Sequence, residues 1–249
     1  GILKKNGIEN VADLEKNFGA VPEGLKIREG VGRSIDGLNP RFTVIAADLT
    51  SETKVEFPRM APLYWNDDRS VNPAIFVRAS MSVPYFFSQL IIEDLPQGEQ
   101  ALRNWKSLAS FNGSPPKKAY FVDGGIMSNF PMDVFHKKNT VPRMPTFGVR
   151  LGVDRDKAND IKGPGKLFGA MFNSIRHLHD YDFILRNPDY KQLLEKIDIG
   201  DHNWLNFAMP DEDKLDLFVR GAKAAALFWR KFDWKSYKAL RQKQVDAIS

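Results

Sequence analysis

The stretch Ala119-Tyr120-Phe121-Val122-Asp123-Gly124-Gly125 carries the strongest fold signal in this 249-residue chain. Its aromatic and β-branched residues predict a short buried strand that ends at Asp123. Ligands of open α/β sheets bind beyond the carboxyl ends of the strands, so an acid placed there is a candidate functional group. Gly124 and Gly125 can adopt positive φ angles or let a backbone or a ligand approach closely. Taken alone, Asp-Gly also suits a purely structural turn.

The residues after this stretch favour more than a turn. They run Ile126-Met127-Ser128-Asn129-Phe130-Pro131 and do not alternate as the second strand of a hairpin would. Asn129 is a suitable helix cap, and Pro131 is suited to the first position of a helix. The pattern therefore predicts a strand, an Asp-Gly-Gly turn and then a helix that starts at Pro131.

The run FVDGGIMSNFP at 121–131 resembles the Asp-Gly-Gly/Ala motif of patatin-like phospholipases. The block ASMSVPYFF at 79–87 resembles the family's Ala-Ser-x-Ser/Ala-x-Pro-x-x-Phe block, and FTVIAADL at 42–49 resembles the strand before it. The three blocks stand in the family's order. The resemblance implies an α/β fold, a three-layer α/β/α patatin-like (lysophospholipase-like) sheet, of which this chain is the C-terminal portion with a helical tail.

The resemblance also implies a chemistry and a set of site residues. In the family, the Asp of this motif is the base of a Ser-Asp dyad that hydrolyses lipid acyl esters without a cofactor. Asp123 is then the catalytic base, supported by Gly124, Gly125, Asn129 and Pro131. The implied substrate is a phospholipid, a lysophospholipid or another lipid ester.

The sequence departs from the family at the nucleophile. The family's serine lies on a Gly-x-Ser-x-Gly elbow, a strained strand-to-helix turn, and no such motif occurs in the chain. The nearest stretch, 30–37, has Asp36 where the second glycine is required and precedes a strand, so Ser34 is a poor candidate. Ser80 and Ser82 are better explained as helix caps. We expect a missing N-terminal segment to carry the nucleophile; the alternative is a catalytically incomplete lipid-binding or scaffold protein on the same fold.

Composition narrows the remaining classes of function. The chain has no cysteine, which excludes disulfides and thiolate metal sites. The four histidines predict no metal site, since His177 and His179 are not spaced to share one helical face. A net charge of +5 would suit nucleic acid or anionic lipid, and a generic basic binding module remains a rival. Because no nucleic-acid fold motif is present, no nucleic acid is predicted as partner. The compartment stays open: the patterns predict a soluble protein, cytoplasmic or secreted, or one peripheral to a membrane.

The order of predicted elements suggests one patatin-like domain over 1–249, with 211–246 a terminal helical segment. Alternating strands and helices favour a mainly parallel sheet. Among these elements, residues 10–18 predict a short helix with Asn10 as its cap, and Thr53–Phe57 predicts a strand. The acids 211–213, which follow Pro210, predict the start of a helix. Residues 94–118 contain several prolines and glycines and predict a surface insertion with one short amphipathic piece.

The basic aromatic tail has two interpretations. Residues 220–243 carry eight Lys or Arg and one acid, Asp233, interleaved with aromatic residues. Such a segment can form a peripheral contact with an anionic membrane. It can also be a docked terminal helix with a solvated charged face, which the resemblance favours for 213–228.

Overall fold

The computed structural model describes residues 1–19, 23–24, 42–128, 130–135, 139–152, 158, 160–171, 174–175, 187–202 and 206–247. Contacts between residues divide the chain into two compact units, Gly1–Asn129 and Phe130–Ser249. The predicted single domain over 1–249 therefore stays a prediction.

Unit 1 is built on a four-stranded sheet. Its strands are β1 (Val44–Asp48), β2 (Thr53–Phe57), β3 (Leu90–Glu93) and β4 (Lys118–Asp123). They lie in the order β2-β1-β4-β3, and every neighbouring pair is antiparallel. The prediction of a mainly parallel sheet is wrong for this sheet. For β1 and β2 the physical reason is the short hairpin that joins them, whereas parallel neighbours need a long crossover. The direction of β3 and β4 is not set by loop length, since a long segment that contains α4 joins these two strands.

The Asp48 side chain helps to shape that hairpin. It is fully buried at the end of β1. Its carboxylate accepts hydrogen bonds from the Thr50 N–H at 2.8 Å and the Ser51 hydroxyl at 2.7 Å. The Tyr64 hydroxyl donates to the same carboxylate at 3.1 Å. Asp48 is thus a structural acid, in which short side-chain bonds replace the water lost on burial.

Unit 1 also contains helices and 3-10 turns, which lie before, between and after these strands along the chain. They are α1 (Ile2–Lys5), α2 (Val11–Gly19), α3 (Ala74–Ser80), α4 (Glu99–Ala109) and α5 (Gly125–Ser128), with 3-10 turns at Ala61–Leu63 and Asp68–Ser70. As predicted, Asn10 caps α2: its side-chain oxygen accepts from the Asp13 N–H at 2.9 Å. The Asp13 carboxylate accepts in return from the Asn10 N–H at 3.3 Å, which is the reciprocal pattern of a capping box.

The core of unit 1 follows from the period-two pattern of its strands. In β2, Thr53, Val55 and Phe57 point inward and are buried, whereas the residues between them are partly exposed. The Phe57 ring stacks on Phe76 of α3, with ring centroids 4.5 Å apart. It also contacts Phe121 of β4 at 5.7 Å. Aromatic packing therefore ties β2, α3 and β4 together behind the end of β4.

Residues 94–118 do not form a surface insertion, which corrects the prediction. They contain α4, whose Trp105 is fully buried in the core of unit 1. The Trp105 ring makes an edge contact with Tyr64, at a centroid distance of 5.6 Å. The prolines and glycines lie at the ends of the segment, and the amphipathic piece between them buries its apolar side.

Unit 2 contains a two-stranded parallel sheet and two long helices. Its described elements include β5 (Gly148–Leu151), β6 (Leu194–Ile197), α6 (Asp211–Lys231) and α7 (Trp234–Asp246), with 3-10 turns at Met132–Val134 and Pro188–Leu193. Residues 164–171 are also helical. Helices cover the predicted segment 211–246 except at Phe232 and Asp233. The acids predicted to start the first helix do occupy its first turn, following Pro210.

A buried ion pair holds α7 in unit 2. The Arg241 guanidinium lies 2.6 Å from the Asp189 carboxylate, and both side chains are about 95% buried (5% and 4% exposed). The same guanidinium donates to the Thr140 carbonyl at 2.8 Å. Tyr190 and Tyr237 are buried in the adjoining apolar cluster. A buried arginine needs such partners, because an unpaired charge in the interior is costly.

Candidate active site

Asp123 lies at the carboxyl end of β4, as the sequence predicts, and its side chain is half-buried. One carboxylate oxygen accepts a hydrogen bond from the Gly125 N–H at 2.9 Å. Gly125 is the first residue of the helical turn α5. This bond fixes the direction of the carboxylate at the point where the strand ends.

Two carbonyl groups hold the backbone on which Asp123 stands. The Asp123 N–H donates to the Ser82 carbonyl at 3.0 Å, and the Gly124 N–H donates to the Ser80 carbonyl at 3.2 Å. Both acceptors belong to the segment at the end of α3. The Ser82 hydroxyl is itself committed, because it donates to the Arg78 carbonyl at 2.7 Å and accepts from the Arg78 guanidinium at 2.8 Å. Ser82 is therefore a structural residue, bonded at the end of α3.

Gly124 is required by a close backbone approach. A Cβ atom on this residue would overlap the carbonyl oxygen of Ile45 and would lie 3.0 Å from the Ala46 nitrogen. The neighbouring register pairs Ala46 with Asp123 across the antiparallel strands β1 and β4. Gly124 has no positive φ angle in the described structure. Of the two uses of glycine expected at this position, close approach is the one that the structure shows.

The three sequence blocks therefore meet in unit 1. Residues 44–48 form the strand beside β4, residues 80–82 accept its terminal N–H groups, and residues 123–125 carry the acid. The sequence identified all three blocks, but it gave no sign that the second supplies main-chain acceptors to the third. No local pattern encodes that contact, because about forty residues separate the partners.

The remaining predicted site residues are placed differently. Pro131 belongs to unit 2, where it precedes the 3-10 turn Met132–Val134 instead of a full helix. The prediction of a helix that starts at Pro131 is thus wrong in the described residues, where only this single turn is formed. A helical turn instead follows Gly124 directly, at α5. Asn129 lies outside the described residues, as does the stretch that contains Ser34.

No cluster of three or more histidine and acidic side chains suited to a metal ion occurs among the residues that the structure describes. His202 lies 2.9 Å from the Asp216 carboxylate, which the Arg220 guanidinium also contacts at 2.6 Å. Hydrogen bonds from Arg220 and then His202 lower the pKa of Asp216. This arrangement joins a loop to α6. His136, His177 and His179 lie outside the described residues.

The structure thus places a half-buried Asp at a strand end in a mixed α/β unit, with its carboxylate held by the Gly125 N–H. The sequence model of the family described as patatin-like phospholipase matches residues 5–136, more than half of the chain. The chain therefore belongs to the patatin-like phospholipase family. The predicted family and the α/β patatin-like fold are confirmed by this match and by the sheet and helices of the structure.

One similar protein is the uncharacterized protein YqhO of Bacillus subtilis (strain 168). It is 29% identical over 199 residues, which cover 77% of this chain and 58% of YqhO. The chain thus spans about 58% of the length of this relative. No solved structure gives a significant match. Within the described residues, no helix has the length and apolar character needed to cross a membrane.

Proposed function

We propose that this chain is part of a lipid acyl hydrolase of the phospholipase A or lysophospholipase type, in which Asp123 is the general base of a Ser-Asp dyad. Membership of the patatin-like family supports the class of reaction. The observation that carries the role of Asp123 is its position at the end of β4, where Gly125 orients its carboxylate and the Ser80 and Ser82 carbonyls anchor its backbone.

The proposed reaction has two steps. A serine hydroxyl attacks the ester carbonyl while the Asp123 carboxylate takes its proton, and the alcohol leaves with a proton returned by Asp123. Water then attacks the acyl-serine while Asp123 removes its proton, and Asp123 returns that proton to the serine oxygen as the bond to the acyl group breaks and the fatty acid is released. No histidine is needed between base and nucleophile, provided that the serine lies within hydrogen-bond reach of the carboxylate.

The nucleophile of this scheme is a serine outside the 249 residues. The sequence contains no Gly-x-Ser-x-Gly, and the hydroxyl of Ser82, the serine whose carbonyl binds Asp123, is bonded twice to Arg78. The substrate proposed is a phospholipid, a lysophospholipid or another lipid ester, and the reaction uses no cofactor. Asn129 and Pro131 are proposed as support for the motif, as the family resemblance implies.

Substitution of Asp123 by Asn in the natural full-length protein tests the proposal. The change keeps the size of the side chain and removes the base, so we expect hydrolysis of phospholipid and of a short-chain p-nitrophenyl ester to fall by about 10²-fold or more. Asp67→Asn is the matched control, because Asp67 is an exposed acid in the same unit. Circular dichroism establishes that both variants fold. Wild-type turnover in Asp123→Asn would refute the role of Asp123.

The second candidate is a non-catalytic lipid-binding or scaffold protein on the same fold. The observation in its favour is the missing Gly-x-Ser-x-Gly motif in these residues. The two candidates differ in one measurement, the release of fatty acid by the full-length wild-type protein. Lipid binding without any release would favour the scaffold, whereas release that depends on Asp123 would favour the hydrolase.

A further inference from the structure

Helix α6 presents an apolar stripe to solvent. The helix has 21 residues and buries none of them fully. Leu215, Phe218 and Trp229 are 62%, 74% and 61% exposed. Together with Ala222 and Ala225 they repeat at spacings of three and four residues, which places all five on one face of a helix. We call these five residues the outward stripe.

The side of α6 that packs in unit 2 lies next to the outward stripe, since Gly221 follows Phe218 by three residues. Gly221 lies against the Ile197 side chain of β6, with 3.7 Å between a Cβ built at Gly221 and Ile197 Cδ1. Arg220 pairs with Asp216 along the helix. Phe228 stacks with Phe232, at a centroid distance of 5.6 Å, and makes an edge contact with Phe147. Trp229 shares in this packing through an edge contact with the Phe147 ring, at a centroid distance of 5.0 Å. Its side chain nevertheless stays largely exposed to water, as do those of Leu215 and Phe218.

Basic residues border this stripe. From residue 217 to residue 232 the chain has four basic residues and no acid. Arg220 faces Asp216, while Lys223, Arg230 and Lys231 are exposed. The acids of α6 all lie within its first six residues. An apolar strip with a cationic border complements a surface whose interior is hydrocarbon and whose rim is anionic.

We propose that the outward stripe of α6 is the surface through which this protein lies on a bilayer containing anionic lipid. The proposal deepens the proposed function and rests on it, because a hydrolase of bilayer lipids must reach its substrate at such a surface. Phe218 and Trp229 enter the headgroup region, and Lys223 and Arg230 contact lipid phosphates. The helix then lies parallel to the membrane plane, along about 21 Å between Leu215 and Trp229 at 1.5 Å per residue.

This placement refines the tail predicted from sequence. Within 220–243, Tyr237 is buried, and Phe232 and Trp234 pack against the apolar cluster of unit 2. Those aromatic residues stabilise the unit and are not available to lipid. Trp229 remains exposed, and the other large members of the stripe, Leu215 and Phe218, lie before residue 220. The contact surface is therefore one face of α6 instead of the whole tail.

A second copy of the chain is the other partner that could pack on the outward stripe, because its residue spacing resembles that of a helix pair. Coiled-coil seams need about three to four heptads to be recognised as such, whereas the stripe spans about two. Its central positions are the alanines 222 and 225, which offer little volume for packing between helices. The aromatic residues near its ends and the cationic border fit a lipid interface better than a helix pair.

Vesicle flotation tests the proposal on the full-length protein. Vesicles of ether-linked phosphatidylcholine, with or without ether-linked phosphatidylglycerol, present no cleavable ester. We expect binding to vesicles with phosphatidylglycerol, weaker binding without it, and weakening by salt. The double variant Phe218→Ser/Trp229→Ser should lower the partition coefficient by about tenfold or more, because two inserted aromatic side chains are lost. Met144→Ser/Ile161→Ser is the matched control, since both residues are exposed and apolar in the same unit.

Two further variants keep the test decisive if the double variant folds poorly. Lys223→Gln/Arg230→Gln should remove most of the preference for phosphatidylglycerol. The Trp229→Phe variant should still bind the vesicles. Its tryptophan fluorescence should shift less to the blue on vesicle addition than that of the wild type, because the contribution of Trp229 is lost.

Equal binding by the stripe variants and the wild type would overturn the proposal. So would sedimentation data in which the stripe variants turn a dimer into a monomer and leave vesicle binding unchanged. Binding without any ester hydrolysis would refute the proposed function alone, and hydrolysis of a soluble ester without vesicle binding would refute this inference alone.

Discussion

Gly124 lies directly against the carbonyl group of Ile45, so the backbones of β4 and β1 meet where no side chain fits. The contact joins two segments that are 79 residues apart in sequence and sets the position of the neighbouring Asp123. Substitution of Gly124 by Ala places a methyl group in that space, and neither backbone can move aside without breaking strand pairing.

We therefore expect Gly124→Ala to destabilise unit 1 by about 2–3 kcal/mol or more, measured by urea denaturation. Activity of the full-length protein should fall with it, because Asp123 moves. Gly19→Ala is the control, since a Cβ on Gly19, at the end of α2, has no atom within 4 Å. A Gly124→Ala protein with wild-type stability would show that the close approach is not a constraint.

The buried pair of Arg241 and Asp189 yields a prediction for unit 2. Arg241→Met leaves the Asp189 carboxylate buried without the arginine that balances its charge, which should cost about 3–5 kcal/mol of unfolding free energy. Arg103→Met removes an exposed arginine that pairs with Glu99 at 3.4 Å, and it should cost less than about 1 kcal/mol. Addition of Asp189→Leu to Arg241→Met should recover part of the loss, because no unpaired charge remains. The absence of any recovery would show that packing, and not charge, dominates there.

Trp105 provides a test of the burial of α4. Trp105→Ala opens a large cavity between α4 and Tyr64, and we expect a loss of about 3–5 kcal/mol by chemical denaturation. Leu102→Ala, on the exposed side of the same helix at 44% exposure, should change stability by less than about 1 kcal/mol. If the two changes had equal effects, α4 would be part of a surface insertion, as the sequence predicts, and not part of the core.

Burial of a tyrosine makes stability depend on alkaline pH. Burial raises the pKa of Tyr237 to about 12, with the Asp189 carboxylate adding to the effect and the Arg241 guanidinium opposing it. The unfolded chain loses this proton near pH ~10. Between these values the folded state binds more protons than the unfolded state, so stability falls as pH rises, by up to about 1.4 kcal/mol per pH unit for this group.

Denaturation curves of wild type and Tyr237→Phe between pH 9 and 11.5 check the sign. The free energy of unfolding of Tyr237→Phe should fall less steeply with pH than that of the wild type. Burial also raises the pKa values of Tyr64 and Tyr190, and these two groups account for part of the pH dependence that remains. Tyr85→Phe, in which the affected ring is 84% exposed, should follow the wild-type curve. A steeper decline in Tyr237→Phe would contradict the direction of the shift.

Local patterns predicted much of the candidate site. The run ending at Asp123 is a strand, Thr53–Phe57 is a strand with the predicted bounds, and α2 and α6 start where their caps and acids indicate. These features depend on neighbours in sequence. Strand direction and the burial of α4 were predicted wrongly, because both depend on which distant surfaces pack together.

The amino-acid sequence by itself determined that a buried strand ends in an acid followed by two glycines, and that the chain is a patatin-like α/β protein. Only the tertiary structure decided why the first glycine is needed, which carbonyl groups hold Asp123, and which face of α6 remains apolar in water. Such contacts join residues tens of positions apart. Local propensity acts over a few residues, whereas chain packing selects these partners by the volume and hydrogen bonds that they complete.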